Sequence, residues 1–430
     1  MNLIGNINAI PFRRFRGGGG VAPFPSIPGM IARYSALGLT NEQMAVNPVW
    51  VDKTGNGHDL QMKNFAWKER SGISDIYPGA LVFDGVNDYG VCENFPILTK
   101  EKGYTVVALR QWLSFQDIGY PILVVNSTDR LAAFSFENFI SKTKSTWNWG
   151  RSVGLSDYKI PLLYTYQTST SYNSKTIYAG ATEEGSNILQ VCRSGIYCAN
   201  AAIWEIVILD HDATEEELTK IKDYFVKTYP WLFPDQAWTV VGKTNEDEDR
   251  ATIANITGNG NDLILSNFGF AEGSGYNEQG EYAGYLVTDG VDDKITSSIF
   301  EMGNDWTIIG DWELINTEKK DNAGIVKFNS IVIYNYNPIL INIKNGRNNL
   351  IPDQNTVNAI CSDGRIYSKD WKESIYNEET ESTSKNFLTI GYSGNSYTKI
   401  AFKNLAIYPT VLSKEDCIKA YNYLQTLKAK

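Results

Sequence analysis

Histidine is almost missing from this chain: His58 and His211 are the only two in 430 residues. No cluster of Cys and His with zinc-ligand spacing occurs, which leaves no sequence basis for a zinc centre. Cysteine is scarce as well. The five present, Cys92, Cys192, Cys198, Cys361 and Cys417, are an odd number and form no even disulfide framework. They read as free buried thiols of a chain folded in a reducing cytoplasm. No apolar run reaches eighteen residues and the amino terminus has no continuous apolar signal segment, so neither a membrane partner nor export is expected. Acid is absent from residues 1–41, which carry Arg13, Arg14, Arg16 and Arg33. The net charge of −10 therefore lies in the remainder, and it argues against a nucleic-acid partner.

What is present is a repeat. Thr54-Gly55-Asn56-Gly57-His58-Asp59-Leu60 leads to Leu81-Val82-Phe83-Asp84-Gly85-Val86-Asn87-Asp88. Two hundred residues later, Thr257-Gly258-Asn259-Gly260-Asn261-Asp262-Leu263 leads to Leu286-Val287-Thr288-Asp289-Gly290-Val291-Asp292-Asp293. Order and spacing persist beyond the motif, since Tyr34 to Glu42 matches Trp238 to Glu246 and Asn187 to Phe225 matches Asn386 to Leu424 without a gap. The counterparts of His58 and His211 are Asn261 and Thr410, which excludes a duplicated His-dependent site. Those of Cys192 and Cys198 are Gly391 and Tyr397, so no disulfide plan is shared.

Each copy has short β-prone runs at close intervals, in the first at 80–83, 89–92, 104–109, 121–125, 131–136, 176–180, 188–193 and 201–209, the pattern of an antiparallel sandwich. One helix closes each copy. Thr214 and Glu217 form a capping box ahead of Leu218, Ile221 and Phe225, and Ser413 with Asp416 precedes Cys417, Ala420 and Leu424. The expected fold is all-β: two tandem jelly-roll sandwiches at 33–226 and 238–430, joined by a Pro/aromatic linker at 227–237. Ahead of them, residues 1–32 fit no regular element. Apolar anchors separated by Gly and Pro suit an extended docking peptide, with Ile10, Phe12, Arg13, Arg14, Phe15 and Arg16 as its contact residues.

The Thr-Gly-Asn-Gly-x-Asp-Leu and Asp-Gly-Val-(Asn/Asp)-Asp pattern, with a final strand and capped helix, resembles the laminin-G-like, concanavalin-A-like jelly-roll domain over nearly all of 33–425. That resemblance implies two face-to-face antiparallel sheets that bind glycans or proteins through rim loops. The architecture is also similar to virion surface proteins of tailed phages of gut bacteria, including head-fibre and tail-associated proteins of crAss-like phages. It implies a virion-surface location after assembly in the host cytoplasm.

Three groups of residues carry candidate chemistry. Asp311-Trp312-Glu313 lies in a strand-like run whose alternate residues share a face, so its carboxylates could serve as acid and base, but the first copy has Leu109-Arg110-Gln111 there. Asp52, Asp59, Asp84 and Asp88, with Asn255, Asp262, Asp289 and Asp293, offer oxygens that laminin-G-like domains sometimes turn to calcium. In Asp-Gly turns the favoured role is bonding to the chain's own backbone. Trp147, Trp149, Tyr158 and Tyr164 crowd a divergent stretch of the first copy, where core and an interface or glycan contact both remain open. The chain is accordingly expected to be a non-enzymatic virion structural protein, a homo-oligomeric fibre docked through residues 1–30 on a capsid or tail protein. The alternative is a host-glycan-binding adhesion module. No catalytic residue, metal or cofactor is expected.

Overall fold

The computed structural model describes residues 23–96, 103–114, 120–127, 134–140, 145–148, 151–153, 162–167, 187–194, 196–315, 324–328, 331–334, 340–343, 347–350, 357–375, 388–393 and 396–429. They divide into two compact units, 23–225 and 226–429. The fold is all-β; among the described residues each unit has two large antiparallel sheets, one two-stranded ribbon and one closing helix. The sequence-expected strand at 176–180 lies outside the described residues. Among the described residues no helix is long and apolar enough to cross a membrane.

In the N-terminal unit the long strand Asn200–Leu209 organises the first sheet. Thr105–Trp112 pairs along one side of it, and Ala80–Asp84 and Met30–Ser35 share the other. Alternation, stepped once by the register shift between Ile203 and Glu205, sends Val106, Ala108, Ile203, Ile206 and Ile208 inward against Trp50, Leu60, Leu81, Phe83, Leu189 and Val191 of the sandwich core. The C-terminal unit repeats this around Ile400–Tyr408, flanked by Thr307–Leu314 on one side and by Tyr285–Val287 and Gln236–Thr239 on the other. Its first sheet continues from Thr307–Leu314 through Val357–Cys361 and Arg365–Ser368 to the edge strand Glu373–Ile375. Its core gathers Trp238, Leu286, Ile308, Trp312, Leu314, Phe402, Leu405 and Ile407.

The repeated motif sets turns in both units. Asp52 Oδ1 accepts the backbone N–H groups of Arg33 and Thr54 at 3.1 and 3.0 Å, while its own N–H donates to Asp59 Oδ1 at 2.8 Å. Asn255 holds the same place, accepting from Ala237 and Thr257 at 3.1 and 3.2 Å and donating to Asp262 at 2.8 Å. In the second half of the motif, Asp84 Oδ1 accepts three consecutive backbone N–H groups, those of Val86, Asn87 and Asp88, at 2.8 to 3.2 Å. Asp289 does so from Val291, Asp292 and Asp293 at 2.7 to 3.3 Å. Gly85 between them sits at φ +75, where a Cβ would come within 2.6 Å of Asn200, so no other residue closes this turn without strain. These aspartates thus serve backbone geometry. Asp289, Asp292 and Asp293 do bring carboxylate oxygens within 4.8 Å of one another, but the first copy has Asn87 in place of the middle residue, so the acidic triplet is not part of the repeat.

Both helices begin as the capping boxes require. Thr214 N–H donates to Glu217 at 2.8 Å and Glu217 N–H to the Thr214 hydroxyl at 3.3 Å, and Asp416 N–H donates to the Ser413 hydroxyl at 3.1 Å. Their apolar stripes, Ile221 with Phe225 and Cys417 with Ala420 and Leu424, are fully buried on the outer face of the first sheet. Ahead of each first strand an aromatic segment joins that layer. Phe24 meets the Tyr224 ring at 4.7 Å, and the 3-10 turn Pro230–Leu232 packs on the helix Lys414–Leu424, with Lys419 Nζ 4.4 Å from the Trp231 ring. One further contact is shared with its partners exchanged. Arg193 lies 4.1 Å over the Tyr89 ring in the first unit, and Lys294 lies 6.0 Å over Tyr392 in the second.

Candidate functional site

Among the described residues the units differ on the outer face of the sheet under the closing helix. In the N-terminal unit Trp204 fills that face, fully buried, with its Nε1–H donated to Pro78 O at 2.9 Å. Beside it Glu205, equally buried, accepts from Arg33 Nε at 2.9 Å, and the guanidinium donates to Tyr224 Oη at 2.7 Å while stacking 4.2 Å over Phe24. The C-terminal unit has Lys403 in place of Trp204, Asn404 for Glu205, Ala237 for Arg33 and Asp311 for Leu109. Its ion pair has therefore moved. Lys403 Nζ lies 3.8 Å from Asp311 Oδ2 and donates to Gln425 at 2.9 Å, and Tyr285 Oη donates to Asp311 Oδ1 at 3.1 Å.

Around this pair the C-terminal face carries partly exposed rings. Tyr421, one turn beyond Cys417, bonds Asp311 from the helix side and meets the Trp371 ring edge-on at 5.7 Å. Trp371 sits at φ +57 in the turn after Arg365–Ser368, its N–H donated to Ser368 O at 2.9 Å. Tyr282 meets Tyr285 at 6.3 Å on the other side. Glu313 stands on the same face as Asp311, since Trp312 between them points into the core, and lies 3.7 Å from Lys369 Nζ. Burial, reinforced by the Asp311 carboxylate, pushes the Tyr285 and Tyr421 hydroxyls well above the usual range, so both remain protonated donors.

The expected sharing of a face by Asp311 and Glu313 is what the structure has. Their roles differ from an acid and base pair, because Asp311 is only 13% exposed and committed to Tyr285, Tyr421 and Lys403, whereas Glu313 is 37% exposed. Trp147 falls in the strand Ser145–Asn148, opposite Asn138 and Ser152 in the second sheet of the first unit. Tyr164 falls in Leu162–Gln167, opposite Ala108 in the first sheet, so the two belong to different sheets. Trp149 and Tyr158, with Ile10, Phe12, Arg13, Arg14, Phe15 and Arg16, lie outside the described residues. Sequence reasoning passed over Trp371 and Tyr421. An available signal was the placing of a Trp inside the charged run Lys369-Asp370-Trp371-Lys372, where no core strand continues.

No protein-family model matches the chain, and neither does any curated protein. Solved structures do. The Trypanosoma rangeli sialidase in complex with sialic acid matches at 13% identity and TM-score 0.34, over 52% of this chain and 36% of its own. The same sialidase in complex with the inhibitor DANA matches at 8% and 0.33, over 87% and 67%. The binding domain of botulinum neurotoxin DC in complex with SialylT matches at 9% and 0.33, over 87% and 99%. The chain thus spans about a third of the first sialidase it matches. Likenesses at these identities concern the fold alone. The sialidases among them overturn one expectation drawn from the sequence, that the chain is not an enzyme, and that exclusion is withdrawn.

Proposed function

We propose that the chain is a glycan-binding protein and that its C-terminal sandwich takes sugar on the outer face of the first sheet. One observation carries this reading: the partly exposed rings of Trp371, Tyr421, Tyr282 and Tyr285 surround fixed polar groups. Rings of this kind cover the apolar face of a pyranose, and Glu313 and Lys369 at the margin suit its hydroxyls. Among the described residues of the N-terminal unit, Trp204 fills the place that Lys403 holds in the second. An array of neutral and sialylated oligosaccharides probed with the full chain tests it. Binding that falls at least tenfold in Trp371→Ala and Tyr421→Ala is the expected result. An array with no bound glycan, or binding untouched by Trp371→Ala, overturns it.

A second reading concerns where such a protein is displayed. We infer a virion surface, with residues 1–30 as the docking peptide and the sandwiches outward as a homo-oligomeric fibre. What supports it is the peptide's basic, apolar composition and the anchoring of its root, where Phe24 packs against both Arg33 and Tyr224 and Ile27 is buried. A peptide rooted on a folded unit transmits its docking to that unit. Particles that incorporate the protein equally well after deletion of residues 1–22 refute the reading.

A further inference from the structure

The face proposed for sugar in the C-terminal unit has little to offer an anion. Lys403, only 25% exposed, is committed on three sides: its Nζ donates to Gln425 at 2.9 Å, lies 3.8 Å from Asp311 Oδ2 and stands 5.4 Å from the centre of the Tyr285 ring. The two lysines beside Trp371 are matched as well, Lys369 Nζ with Glu313 at 3.7 Å and Lys372 Nζ with Asp370 at 3.9 Å. Lys399, just ahead of the strand Ile400–Tyr408, lies instead against Gly290 of the acidic Asp289 turn. The hydroxyls point to the same class of ligand. Tyr285 donates its one proton to Asp311 Oδ1 at 3.1 Å, and Tyr421 donates its own to that carboxylate. Each phenol oxygen then has only lone pairs to present, as does the 37% exposed Glu313 carboxylate. A rim of acceptors bonds O–H groups and repels the oxygens of a carboxylate or sulfate, which carry charge and no proton to donate.

We propose that this face selects neutral glycans, built of hexoses whose free groups are hydroxyls, and discriminates against sialylated, uronic or sulfated ones. The inference rests on the reading that the face binds sugar, and adds the chemical class it takes. Glu313 is the specificity-determining residue, because its charge repels an anion and also occupies Lys369, the cation that would otherwise meet one. The rings of Trp371 and Tyr421 supply stacking that is indifferent to charge, so affinity and selectivity reside in different side chains.

The test titrates the full chain, at low ionic strength, with oligosaccharides of glucose, galactose and mannose, each with and without a terminal sialic acid or a sulfate. The neutral member of a pair should bind roughly fivefold or more tightly than its charged partner, the effect of one nearby carboxylate at a wet surface. Added salt should narrow that gap. Glu313→Gln keeps the side chain's shape, removes its charge and releases Lys369, so the preference should fall to parity or reverse. A sialylated or sulfated member that binds as tightly as its neutral partner, with Trp371→Ala abolishing both, overturns this inference and leaves the sugar-binding reading standing. An unchanged ratio in Glu313→Gln does the same. If no member binds, or if Trp371→Ala changes nothing, the sugar-binding reading itself falls and this inference falls with it.

Discussion

The two units solve one packing problem in two ways. Beneath each closing helix the sheet's outer face must hold large side chains out of water, and the N-terminal unit does so with Trp204 and the Arg33–Glu205 pair. The C-terminal unit keeps one charge on the central strand, at Lys403, sets the other on Asp311 of the neighbouring strand, and rings the pair with tyrosines. A buried ion pair contributes little net stability against apolar residues of the same volume, but losing one partner strands the other. Equal folds can therefore carry an inert face and a polar, accessible one at similar cost. Function can diverge there while the core stays the same.

The comparison can be broken at its most buried point. Arg33→Ala leaves Glu205, with no exposed surface, without its guanidinium, and should destabilise the N-terminal unit by about 3–5 kcal/mol, read from its transition in chemical denaturation of the full chain. Asp311→Leu, which writes the first unit's residue into the second, strands a Lys403 that is a quarter exposed and should cost about 2 kcal/mol. The double variant Asp311→Leu with Lys403→Trp should recover most of that loss and abolish glycan binding; no recovery would mean that the faces are not interchangeable solutions. The smallest effect concerns pH. Burial raises the Asp88 carboxyl from its ordinary 3.8 to about 7, and Asp293 to about 6. A carboxyl whose folded value is raised stabilises when protonated, so its contribution is complete below about pH 4 and is lost as pH rises, through 7 for Asp88 and through 6 for Asp293. Asp88→Asn should flatten the melting temperature of the first unit between about pH 4 and 7, and Asp293→Asn should do the same for the second between about pH 4 and 6.

Much of the fold was legible because turn chemistry and alternation are local. The Asp84 and Asp289 turns and the Thr214 and Ser413 caps each act within five residues. The candidate site was not legible in that way. Its carboxylate Asp311 is assigned by Tyr285, Lys403 and Tyr421, which lie 26 to 110 residues distant in sequence. Register shifts in the strand pairing, which leave Trp204 unmatched between Ile203 and Glu205 in one unit and Lys403 unmatched between Phe402 and Asn404 in the other, also break simple alternation at the positions that decide which side chain meets the helix. The aromatic count drew attention to 147–172 for density, whereas Trp371 and Tyr421 matter through where a turn and a helix bring them.

The exchanged contact between Tyr89 and Arg193 on one side and Lys294 and Tyr392 on the other bears on how such a chain can be rearranged. A crossover between the two copies that falls between these positions would set Lys against Arg in one hybrid and Tyr against Tyr in the other. Each hybrid gene would keep every turn and strand yet lose an attraction or gain a repulsion at one end of its sandwich. Whole copies can be duplicated or lost freely, while mosaics of their halves carry a penalty written into a single pair of side chains.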